Sequence, residues 1–205
     1  MPDTVLVTGY RGGLGSGVVE ALEGAGWTVA GLDREGADLL DSADAERAVA
    51  EIEGLAAVAH LVGGFDSGPK VHESEPADFA RMLDLNVTTT YNVARAAVPR
   101  LLDRGGGGFV AVSAQAIDRP FAGAAGYLTA KAAVLEFVRA LDADYGKEGL
   151  RANAIMPSVI DTPANREAMP DSDRSGWTSP RQIGEVVSFL LSSEGQTVRG
   201  AGLPV

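Results

Sequence analysis

At 205 residues, with 45% hydrophobic and 22% charged side chains, the chain has the size of one domain and enough apolar material for a real core. Lys and Arg number 17 against 28 Asp and Glu, a net charge of −11 that repels phosphate backbones and anionic lipid and so argues against nucleic-acid or membrane partners. Cysteine is absent, which excludes disulfides, thiolate nucleophiles and cysteine metal sites, and His60 and His72 are too few for a histidine cage, so no metal is expected.

The opening Met1-Pro2-Asp3, followed by the short apolar run Val5-Leu6-Val7 without a basic flank, does not read as a signal peptide. No stretch approaches the ~18 apolar residues that would span a bilayer. A cytoplasmic protein is expected.

Apolar β-rich runs alternate with helical patterns along the chain, as in parallel α/β folds. The run 4–8 is unbroken and β-branched, the composition of a strand buried on both faces. It stops at Gly9, and Leu14, Val18, Val19 and Leu22 follow at helical spacing, closed by Ala25-Gly26. A second strand over 27–32 ends on Asp33. An extended piece at 37–40 leads into a helix over 42–53, then a buried strand over 56–62 stopped by Gly63-Gly64.

Residues 75–104 read as one helix, with Pro99 late in it, ended by the glycine run 105–108. A strand at 109–113, an alanine-rich helix at 126–145 and a strand at 150–156, stopped by Pro157, come next. Pro163, Pro170 and Gly176 mark 161–179 as loop with at most a short helix. Ser179-Pro180-Arg181-Gln182 is a helix start, with Ser to cap, Pro at the first position and Gln to reach back. A strand at 200–205 closes the chain. One doubly wound parallel sheet (a Rossmann fold of about seven strands with helices on both faces) accounts for all of this as a single domain over 1–205.

Two constellations carry chemistry. Thr8-Gly9-Tyr10-Arg11-Gly12-Gly13-Leu14-Gly15 lies between a strand and a helix, where glycines let the backbone approach a pyrophosphate and the helix N-terminus offers N–H groups to it. Glycines also serve tight turns without any ligand, but here the order is strand, loop, helix, strand, acidic residue. Asp33, at the end of the second strand, suits the adenosine ribose hydroxyls and repels a 2′-phosphate. It favours NAD(H) over NADP(H), a choice softened by Arg11 and Arg34.

Tyr127 and Lys131 form the second set, on one face of a helix at i and i+4. An ammonium beside a phenol lowers the phenol's pKa from ~10 toward neutrality, so Tyr127 can act as acid in carbonyl reduction or base in alcohol oxidation. Such a pair is commonly a surface pair. Ser113 changes its meaning, because it ends a strand at the carboxyl edge where open α/β sheets hold ligands, and a hydroxyl there can stabilise a developing alkoxide.

With Thr8-Gly9, Gly13-Leu14-Gly15, Asp38-Leu39, Asn86 in Leu85-Asn86-Val87, Ser113, Tyr127, Lys131 and Pro157 to Thr162, nearly the whole chain resembles the short-chain dehydrogenases/reductases. The resemblance implies that Asn86 holds a water in a proton relay through Lys131, and that Lys131 binds the nicotinamide ribose. It further implies that Asp38 and Leu39 meet the adenine, that Gly63 and Gly64 border the cofactor, and that Pro157, Val159 and Thr162 grip the carboxamide. The structural alternative for Asn86, a helix-kink residue capping backbone groups, is compatible with that role.

Leu61-Val62-Gly63-Gly64-Phe65 stands where the family has Asn-Asn-Ala-Gly, Pro-Ser replaces Pro-Gly after the sixth strand, and the chain stops just after the last strand. Val62 to Phe65 and the stretch Ile160 to Thr178 are similar to dihydropteridine reductases, which often lack the serine. The expected protein is an NAD(H)-dependent oxidoreductase of a small carbonyl, alcohol or quinonoid substrate, forming a homodimer or homotetramer as similar family members do. The alternatives are a 3-oxoacyl-carrier reductase and a silent NAD(H) sensor.

Residues 162–179 stand where the family has a substrate lid, supplying Asn165, Arg166, Met169 and Trp177. Gln115, Asp118 and Phe121 are candidates for the opposite wall. His60 is read as a buried strand residue and His72 as a loop residue.

Overall fold

The computed structural model describes residues 3–205; Met1-Pro2 of the opening read above lies outside the described residues. Six strands form one parallel sheet in the order β2-β1-β3-β4-β5-β6. They are β1 (Thr4–Thr8), β2 (Thr28–Leu32), β3 (Leu55–His60), β4 (Gly107–Val112), β5 (Leu150–Met156) and β6 (Gly202–Pro204). The chain runs outward from β1 to β2 and then returns to β3 on the other side of β1. This reversal makes the switch point at whose carboxyl edge such sheets bind ligands.

Helices cover both faces, and the alternation of strand side chains builds two cores. Val5 and Val7 of β1 face α1 (Gly15–Gly24) and α7 (Pro180–Leu191). Leu6 faces the opposite layer with Phe109, under α2 (Ser42–Ala50), α4 (Thr89–Asp103) and α5 (Ala125–Tyr145). All five residues of β1 are buried, as its unbroken apolar run requires. Ser179 and Gln182 form the reciprocal cap expected at the start of α7.

The structure departs from the sequence reading in two places. Residues 37–40 pair with no strand, so the sheet has six strands and not seven. Ala37 and Leu39 are buried in the core instead, and Asn92 on α4 donates to the carbonyls of Leu39 and Leu40. The helix expected over 75–104 is α3 (Pro76–Leu83), a π turn (Asp84–Thr88) and then α4, which continues through Pro99. The lid stretch holds one short helix, α6 (Pro163–Ala168), with Thr162 capping it by accepting from the Asn165 amide. Among the described residues, no helix is long and apolar enough to cross a membrane.

Candidate active site

The glycine loop turns sharply out of β1. Gly9 has φ +70°, a backbone conformation that side chains oppose, and its amide donates to the Leu32 carbonyl at the end of β2. Helix α1 starts without a side-chain cap and without an acidic residue in its first turn. Its N-terminal N–H groups and positive dipole end are therefore not answered by the helix's own side chains, as a pyrophosphate site requires. Thr162 lies against Gly13 from across the edge of the sheet.

Asp33 reaches the same region with its side chain 19% exposed. Arg11 Nη1 lies 2.9 Å from its carboxylate and 2.6 Å from that of Glu35, so one cation is held between two anions. Asp38 sits nearby on the surface and accepts from the Leu40 amide at 3.0 Å. Leu39, expected at the adenine, has its side chain buried in the core. Beyond β5, the Pro157 carbonyl accepts from Gln115 and the Val159 carbonyl from Thr178, which ties both walls of the cleft to the sheet edge.

Tyr127 and Lys131 share one face of α5. Lys131 is 6% exposed, and its Nζ donates to the Val112 carbonyl at 3.0 Å, at the carboxyl end of β4. Burial pushes its pKa down to about 8. The Nζ stands 6.0 Å from the Tyr127 ring centroid. Burial raises the Tyr127 pKa above its ordinary value, which corrects the expectation of a phenol drawn toward neutrality by its lysine. The hydroxyl therefore stays protonated through neutral pH, the state a proton donor needs.

Ser113 ends β4 beside the lysine. Its side chain is 2% exposed and its Oγ donates to the Lys131 carbonyl at 2.8 Å. The contact ties the serine to the α5 backbone at the lysine, and the hydroxyl can turn about its Cβ–Oγ bond to another partner.

Asn86 lies in the π turn, fully buried. Its Nδ2 donates to the carbonyls of Met82 and Gly64, and its Oδ1 accepts from the Gly64 amide at 3.1 Å. The backbone-capping alternative is the geometry found. Gly63 completes the cluster: a Cβ there would lie 2.6 Å from Asn86 Oδ1 and 3.0 Å from Lys131 Nζ, so no side chain fits. His60, next to this cluster, is buried between Thr8 Oγ1 at 2.9 Å and Thr89 Oγ1 at 3.4 Å, with its pKa lowered to about 3 by desolvation and then by Lys131. His72 sits in an exposed short turn beside Glu73.

On the substrate side, Phe65 meets the Tyr127 ring edge-on with centroids 5.0 Å apart, and Phe121 lies 6.4 Å from Phe65. Phe65 was not singled out as a site residue by the sequence reading; the available signal was an aromatic residue directly after a glycine pair at the end of a buried strand. Gln115, a candidate for the same wall, instead donates to the Val205 carbonyl. Trp177 carries the Arg174 guanidinium 5.6 Å from its ring, and Asn165 donates to the Ile160 carbonyl.

A solved oxidoreductase of the short-chain dehydrogenase/reductase family from Burkholderia thailandensis superposes with a TM-score of 0.90 over all of this chain and 91% of its own, at 26% identity. A family model described as Enoyl-(Acyl carrier protein) reductase matches residues 35–205. The chain belongs to the short-chain dehydrogenase/reductase family. Relatives of this reductase-family chain include 2-(S)-hydroxypropyl-CoM dehydrogenase 3 of Xanthobacter autotrophicus, 27% identical over 99% of this chain and 94% of the relative. Acetoacetyl-CoA reductase of Paracoccus denitrificans is 27% identical over 98% and 95%. Members of the family use nicotinamide cofactors, and the glycine loop and the uncapped α1 fit such a group.

Proposed function

We propose that this short-chain dehydrogenase/reductase transfers a hydride between NAD(H) and a small carbonyl or quinonoid compound. The observation that carries the reading is the placement of Tyr127 and the buried Lys131 on one face of α5, with Lys131 tied to the end of β4 beside the ligand-binding edge. The bound nicotinamide supplies the hydride acceptor or donor.

Tyr127 gives its proton to the substrate oxygen in reduction and takes it back in oxidation. The Lys131 ammonium binds the ribose hydroxyls, and its charge holds the phenolate that Tyr127 becomes in the step. Asn86 fixes the Gly63-Gly64 turn beside Lys131, and in this reading it holds the water that relays protons to that lysine. Ser113 holds the helix carbonyl that sets the lysine's position, and its hydroxyl is the partner of the developing alkoxide in this reading.

NAD(H) is preferred over NADP(H) in this reading. Arg11 is neutralised between Asp33 and Glu35, and the remaining negative charge opposes a 2′-phosphate. Residues 162–179 close over the substrate, and Pro157, Val159 and Thr162 meet the carboxamide. The α4/α5 face, where exposed Tyr91 tilts against Phe137 at 5.9 Å, is assigned to pairing with a second copy.

The test is Tyr127→Phe with NADH and a panel of carbonyl and quinone substrates. NADH binding by fluorescence titration persists while turnover is lost. Turnover equal to that of the unaltered chain would overturn the mechanism, and no binding of NADH or NADPH by the unaltered chain would overturn the function.

A further inference from the structure

We infer that Phe65 and Phe121 form an aromatic shelf beside Tyr127 that receives a flat, uncharged conjugated ring. The inference rests on the hydride-transfer reading and names the substrate class of that same site.

Phe65 is 64% exposed and Phe121 44% exposed. Side chains this open contribute little to the core, and leaving two large apolar rings in water is costly unless something covers them. They are not scattered. Phe65 tilts 33° to Phe121 and stands nearly perpendicular, at 76°, to Tyr127, so three rings from two loops and a helix converge at the proton donor. A flat ring slipped against the Phe65 face gains stacking as well as buried area.

The loops that carry the two phenylalanines are braced together. The Gly68 amide donates to the Gly123 carbonyl at 2.9 Å. Gly123 has φ +80°, and a Cβ on it would run into the Gly68 carbonyl, so the two backbones are as close as glycine permits. The shelf is thus held in place by the fold and does not depend on a ligand to assemble it.

Charge narrows the occupant. A neighbouring cleft of about 400 Å³, which shares Tyr127 with the shelf but is not lined by the two phenylalanines, lies between the loop after β3 and the start of α5, with Pro69, Val71, Phe79 and Met82 along it. Asp66, Glu75 and Asp78 also line this cleft. The cation beside them, Arg81, is already held by Asp66 at 2.5 Å and Asp78 at 3.6 Å. Three carboxylates against one guanidinium, on a chain of net charge −11, repel a phosphate-bearing tether or an anionic ring.

The site's chemistry points the same way. A substrate whose own π system spreads the developing charge suits proton donation from the Tyr127 hydroxyl that the shelf adjoins. The balance is complete: the ring compound takes one hydride from reduced nicotinamide and one proton from the Tyr127 hydroxyl. It is reduced by two electrons, the nicotinamide is oxidised by two, and Tyr127 is reprotonated from water.

The experiment compares 1,4-naphthoquinone with 1-decalone, both uncharged bicyclic ketones, one flat and one puckered. The readouts are kcat/KM with NADH and, separately, binding of 1-naphthol by equilibrium titration. The unaltered chain favours the naphthoquinone. Phe65→Ala and Phe121→Ala each lower the naphthoquinone-to-decalone ratio by roughly 3- to 10-fold, and Phe65→Leu, which keeps apolar bulk without a flat face, lowers it too. Naphthol binding weakens in the same variants. An unchanged ratio in all three variants, or equal preference in the unaltered chain, would sink the shelf while leaving the oxidoreductase standing. Naphthol binding that depends on Phe65, with no turnover of any substrate, would keep the shelf and sink the hydride transfer.

Discussion

The hydroxyl of Ser113 donates to the carbonyl of Lys131, 2.8 Å away, while the ammonium of Lys131 donates to the carbonyl of Val112, the residue before that serine. Strand β4 and helix α5 are thus clasped in both directions at the lysine. The clasp sets the lysine's backbone and side chain together and holds Ser113 next to them.

Ser113→Ala separates positioning from a direct part in the chemistry. Loss of one buried hydrogen bond costs about 1 kcal/mol of stability. Turnover should fall by the ~10²–10³ that follows removal of a donor aimed at an oxyanion. Steady-state kinetics with a parallel melt distinguish the two, and a fall in kcat of less than about tenfold with a lowered melting temperature would confine the serine to positioning the lysine.

Gly63→Ala places a methyl between Asn86 and Lys131. Overpacking of this kind costs about 1–3 kcal/mol. Because the displaced groups are the lysine and the asparagine of the site, kcat should fall by more than the melt alone suggests. Ala in place of the surface glycine Gly176, with open space around it, is the control.

Asp33→Ala removes one of the two carboxylates that hold Arg11 and frees its guanidinium for a 2′-phosphate. The ratio of kcat/KM for NADPH over NADH should rise roughly tenfold or more, the size of one hydrogen bond to a charged group. A ratio that does not move would place the cofactor choice elsewhere.

His60 makes the protein acid-sensitive. Its folded pKa of about 3 lies below the ordinary 6.5, so between those values the unfolded chain binds a proton that the folded chain refuses. Stability falls as pH drops from 6.5 toward 3, by at most ~1.4 kcal/mol per pH unit from this one group. His60→Gln lowers stability at pH 7 by losing the fit between Thr8 and Thr89, but its deficit shrinks as pH falls. Denaturant melts at pH 7, 5.5 and 4.5 give the comparison; a deficit independent of pH would show that His60 binds its proton as readily in the folded as in the unfolded chain.

Local pattern by itself determined the architecture. The buried run of β1, the glycine break after it, the acidic end of β2 and the Ser179-Gln182 cap are each written in neighbouring residues, and each stands where the pattern put it. The pairing of Tyr127 with Lys131 was equally legible, because i and i+4 share a face on any α-helix. Tertiary structure alone decided the rest. Ala37 to Leu40 has the composition of a strand, but Asn92 takes the carbonyls of Leu39 and Leu40, and the segment packs as coil. Asn86 turns through a π bulge because it answers Gly64, far away in sequence. Phe65 and Phe121 meet only because two glycines let their loops touch. The fate of Ser113 rests on a carbonyl contributed by another element. Which atom accepts a single hydroxyl proton depends on distances between chain segments, and periodicity carries no record of them.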